Sequence, residues 1–143
     1  MENLTDGKTG IIKKYKNKKA YIRVKGAILN LETSRQIPLD FECQIDTGFD
    51  GGIMVPDSYN LEAKSINVEA RVTSITLADG SKVPAYVCAA HIQEIDTHIL
   101  PLPGKAVMLV MCGNRKSELL GMDALKHCTV FFNGPNQTFT INV

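Results

Sequence analysis

Apolar and polar residues alternate with a period of two over much of the chain, the pattern of strands that bury one face. Tyr21-Ile22-Arg23-Val24-Lys25 alternates cleanly, Ala27 to Leu31 continues it, and Glu32-Thr33-Ser34-Arg35 reads as a turn. Gln36 to Ile45 is the next strand, with Pro38 near its start, where a missing donor is tolerated. Ile53-Met54-Val55 is a short apolar piece closed by Pro56. Val68 to Ala78 and Lys82 to Ile92 predict two long strands joined through Asp79-Gly80, residues that accept the positive φ of a tight hairpin. Thr97 to Leu102 predicts a further strand, and the unbroken apolar run Ala106 to Met111 predicts one buried on both faces. Gly121 to His127 is the one stretch of helical character. Thr129 to Phe132 and Thr138 to Ile141 flank a Gly134-Pro135-Asn136 turn. Many short strands at close spacing with one small helix predict an all-β barrel or sandwich.

Composition narrows this to an ordinary globular domain. The chain has 143 residues, of which 44% are hydrophobic and 22% charged, enough to bury a core and too apolar for a chain disordered throughout. No apolar run approaches the ~18 residues that span a membrane. The opening MENLTDGKTG lacks the apolar stretch of a secretory signal, which sets a cytoplasmic expectation. Four cysteines, Cys43, Cys88, Cys112 and Cys128, are scattered, and reduced buried thiols are the expected state. Cys88-x-x-His91 and His127-Cys128 come nearest to metal-ligand spacing, but strand residues three apart face opposite ways, so no metal or other cofactor is expected.

The net charge of +1 hides an uneven distribution. Residues 1–25 hold eight Lys/Arg against two acids, a balance of +6, so residues 26–143 carry −5. The Lys13–Lys19 stretch could meet phosphate, but it interleaves no aromatic residues beyond Tyr15 and Tyr21, and a solvated basic extension over 1–19 is the plainer expectation.

The sharpest chemical feature is Asp46-Thr47-Gly48, a carboxylate at the end of the apolar strand Phe41 to Ile45, followed by a small hydroxyl residue and a glycine. By itself the tripeptide also suits a plain turn. Its surroundings are more specific. Phe41 to Asp50 resembles the active-site segment of retropepsin-like aspartic proteases, and Ile53-Met54-Val55 falls where that family has its next short strand. The Asp79-Gly80 hairpin falls at the position of the family's flap. Val107 to Val110, then Leu119-Leu120-Gly121-Met122-Asp123-Ala124-Leu125 and the strand Cys128 to Phe132, resemble its second signature. The agreement in order and spacing spans roughly residues 20–133. Met122 stands where viral members carry an arginine, Phe49 is bulkier than usual, and the flap tip is not Gly-rich, all of which point to a cellular, single-lobe member.

The resemblance implies an all-β fold: a retropepsin-like closed barrel over residues 20–143 with a flap hairpin and one short helix. It implies an aspartic-type endopeptidase, a hydrolase acting on peptide or protein substrates. Peptide hydrolysis by carboxylates needs two on one water, one ionised and one protonated. One Asp-Thr-Gly in a chain too short for two lobes therefore implies a homodimer with Asp46 of each subunit at the axis. Thr47 and Gly48 would support the active-site turn. Asp50, Ile53, Ala78, Asp79, Gly80 and Leu119 are the candidate substrate-binding positions, Ile53 and Leu119 being equally readable as core. Asp123 is read as stabilising the start of the short helix. The alternative function is a catalytically silent dimer of the same fold that binds peptide segments or mediates assembly. No Ser or Cys has the context of a nucleophile, and no phosphate-binding loop is present.

Overall fold

The computed structural model describes residues 10–77, 79–96, 98–99, 106–113 and 118–142. Eleven strands are assigned among them: β1 (Gly10–Lys14), β2 (Tyr21–Leu29), β3 (Gln36–Ile45), β4 (Ile53–Val55), β5 (Arg71–Thr76), β6 (Lys82–Ile95), β7 (His98–Ile99), β8 (Ala106–Met111), β9 (Glu118–Leu120), β10 (Thr129–Asn133) and β11 (Thr138–Asn142). Two short helices, α1 (Tyr59–Ser65) and α2 (Met122–Leu125), complete it. The strand order β2-β3-β9-β4-β8-β6 closes on itself, because β6 also pairs with β2. The result is a closed barrel of six strands, as the sequence pattern and its family resemblance imply.

Alternation decides what fills the barrel. On β2, Ile22, Val24 and Ile28 point inward, and on β3, Leu39, Phe41, Cys43 and Ile45 do the same. Ile53, Leu109 and Leu120 join them from the short strands. Closure between β2 and β6 needs a close approach. The register slips between Lys25 and Gly26, and a Cβ at Gly26 would collide with the carbonyl of His91. Only glycine fits that bulge.

β5 and the first half of β6 form a hairpin whose β5 side is largely exposed. The turn is closed by Leu77 N–H donating to Ser81 O at 2.8 Å, with Gly80 at φ +88°. Outside the barrel, β1, β11 and β10 form a three-stranded sheet that buries Phe139 and Ile141.

Three elements depart from the sequence expectations. Gly10–Lys14 lies within the basic stretch 1–19, yet all five residues pair with β11 and are built into the fold. The tight turn that follows, Lys16 to Lys19, places Asn17 and Lys18 at positive φ. Helix α1 is a second helix where one was expected. β8 is buried on both faces only in its second half, since Ala106 and Met108 are exposed. The predicted strand over 97–102 lies mostly outside the described residues; within it, His98–Ile99 forms β7.

Candidate active site

Strand β3 delivers Asp46 to an open loop that leads into β4. Strand β9 threads between the two, parallel to β3 and antiparallel to β4. Its C-terminal end ties the loop down. Asp46 N–H donates to Leu120 O at 2.9 Å, Gly121 N–H to Gly52 O at 2.8 Å, Met122 N–H to Phe49 O at 2.8 Å and Asp123 N–H to Gly51 O at 3.1 Å. The aspartate loop and the start of α2 are thus one hydrogen-bonded unit, though 75 residues separate Asp46 from Gly121 in the chain.

Within that unit Asp46 is half-buried and its Oδ1 accepts the Gly48 N–H at 2.9 Å. No described residue donates to its other oxygen. Thr47 and Gly48 are exposed, and the Thr47 hydroxyl has no partner among the described residues. Asp50 is exposed, also without a basic partner among them, and Met122 is 40% exposed.

Asp123 is fully engaged. Its Oδ2 accepts the Met108 N–H at 2.7 Å and its Oδ1 the Lys126 ammonium at 2.8 Å. Lys126 first, with the Met108 amide, holds this carboxyl below the ordinary aspartate value of 3.8. A depressed folded-state value stabilises the protein above 3.8 and loses that contribution as pH falls through the folded value. Asp123→Asn is therefore expected to lower the urea midpoint near neutral pH, with the gap to wild type closing below pH 3.8. Parallel urea titrations at both pH values check this. A gap independent of pH would show that the carboxylate's charge plays no part.

Pairing register sorts the other predicted residues. Ile53 is opposite Leu109 and Leu120 and is fully buried in the barrel core. Its neighbour Met54 is opposite Leu119 and Val110, on the outer face beneath the hairpin. Ile53 and Leu119, both expected as pocket residues, thus face opposite ways, and Ile53 supports the loop from behind while Met54 shares the face of Leu119. An unbroken apolar triplet carries no parity of its own, so only the pairing distinguishes them. Met54, Val110, Leu119, Ala85 and Cys112 form a second apolar cluster outside the barrel, and Phe49, Ile75, Val83 and Val87 pack on it. Leu119 of β9 and the hairpin residues Ile75, Val83 and Val87 therefore pack in one buried apolar cluster. Phe49 fits because glycine occupies two adjacent positions: a Cβ at Gly51 would lie 2.5 Å from its Cζ, and one at Gly121 would strike its ring.

At the hairpin tip, Asp79 Oδ1 accepts both the Ser81 N–H at 2.9 Å and the Ser81 hydroxyl at 2.6 Å, bonds that hold its carboxyl below the usual value. Asp79 and Gly80 are exposed; Ala78 lies outside the described residues. The four cysteines are free thiols. Burial pushes Cys43 far above its ordinary value, Cys88 up to about 11, and Cys128 upward as well, which suppresses thiolate chemistry at all three.

This closed barrel, with its protruding hairpin and loop carboxylate, has the fold of retropepsin-like aspartic proteases. A solved retropepsin-like aspartic protease from Rickettsia conorii superposes on it with a TM-score of 0.52 at 14% identity, over 92% of this chain and 97% of that chain. At that identity the likeness is one of fold. No protein-family model matches the sequence, and no curated protein matches it. Among the described residues, no helix is long and apolar enough to cross a membrane.

Proposed function

We propose that the chain is an aspartic-type endopeptidase that becomes active as a homodimer. The observation that carries this is the state of its carboxylates. Asp46 sits on a braced loop with one oxygen open, whereas Asp123, in the second matched segment, is tied to Met108 and Lys126. The second carboxylate that hydrolysis needs is then Asp46 of another copy, brought up across a two-fold axis.

Two such groups about 3 Å apart share one proton and titrate as a pair. The ionised member takes a proton from water, which attacks the scissile carbonyl while the protonated member polarises it. No covalent intermediate forms. In this dimer the Thr47 hydroxyl bonds the partner's loop, and Gly48 leaves room for substrate backbone. The β5–β6 hairpin covers the peptide and excludes water. The substrate lies extended, adding backbone hydrogen bonds as a strand does.

Dilution tests the dimer requirement. Cleavage per chain is expected to fall in proportion to concentration below the dimer dissociation constant, measured alongside sedimentation. A constant rate per chain in a demonstrated monomer would contradict the proposal. A folded dimer inert between about pH 3 and pH 7 would mark the peptide-binding alternative instead.

A further inference from the structure

The apolar cluster does not end under the hairpin. Cross-strand partners share a face, and the register Leu119–Met54–Val110–Val87–Arg71 runs in one row across β9, β4, β8, β6 and β5. Four apolar residues therefore lead to a guanidinium. A hollow of about 380 Å³ opens at that end, its lining including Arg71, Val87, Ala89 and Met108. Its floor is apolar, with Met108 42% exposed, and its cation is Arg71, which is exposed and has no carboxylate partner among the described residues.

Resting on the endopeptidase reading, we propose that this hollow is an outlying substrate subsite that selects an acidic side chain. The occupant is an extended peptide segment with a Glu or Asp that meets Arg71 and an apolar side chain against Val87, Ala89 and Met108. A planar guanidinium binds a carboxylate through two parallel N–H donors, a geometry that fixes register as well as affinity. The apolar walls lower the local dielectric without burying the pair, so the contact adds selectivity at small desolvation cost. Val87 belongs both to the row and to the hollow, so the hollow adjoins the buried cluster that ends at Leu119.

The test uses the full chain and two peptide series. The first is cleavable, and the second carries a reduced amide at the scissile bond so that binding is read without turnover. In each series the positions two to four residues from the scissile bond carry Glu, Gln or Lys. Wild type is expected to favour Glu over Lys at one such position by about tenfold, the preference weakening with salt. Arg71→Gln should level it and Arg71→Glu should reverse it; both changes lie on an exposed edge strand. Cleavage with a charge preference unmoved by Arg71→Glu overturns the subsite and leaves the peptidase standing. Arg71-dependent binding without cleavage keeps the subsite and removes the peptidase. Absence of binding by any peptide overturns the subsite.

Discussion

Asp46→Asn in the full chain is expected to reduce peptide cleavage by about a thousandfold or more, with fold and dimer intact. Asparagine has the shape of aspartate and retains an oxygen for the Gly48 N–H, so the loop keeps its bond. What it loses is the capacity to accept the proton of the attacking water. Asp123 is committed to Met108 and Lys126 and does not stand ready to substitute. Comparison of kcat/KM and thermal melting for both proteins checks this. Activity within tenfold of wild type would remove Asp46 from the chemistry.

A large effect on stability is expected at Gly121. A Cβ there would strike the carbonyl of Gly51 and the ring of Phe49 and lie 2.5 Å from the Phe49 oxygen. Two of those three obstacles are backbone atoms of the aspartate loop, which cannot move without breaking the bonds from Gly121, Met122 and Asp123. Gly121→Ala is expected to cost about 3 kcal/mol, by overpacking with little room to relax. Gly80→Ala is the contrast. It sits at φ +88° with open space around it, so only the backbone penalty of about 1 kcal/mol applies. Urea unfolding of both variants separates the two mechanisms; equal losses would mean that the loop is not packed against β9 as described.

The barrel was legible in the sequence wherever one face of a strand is buried. Ile22, Val24 and Ile28, like Leu39, Phe41 and Cys43, follow the expected alternation, and Asp79-Gly80 marked its hairpin. Helix α1 was not legible: it has seven residues, and its N-cap Ser58 makes no side-chain bond. β1 was hidden because a lysine-rich strand reads as a solvated tail, and its partner β11 is more than 120 residues away. In the site, the loop carboxylate announced itself through the residues around it. The face on which Met54, Val110 and Arg71 meet did not, because it is set by register between five strands and by no local pattern.

The central claim is that one active centre takes an Asp46 from each of two chains. Mixing wild-type and Asp46→Asn chains at fixed total concentration, with free exchange of subunits, tests it most directly. Activity is expected to fall as the square of the wild-type fraction, leaving about a quarter at equal parts, because a mixed dimer holds a single carboxylate. A linear decline, leaving about half, would mean that each chain works alone and would contradict the shared centre.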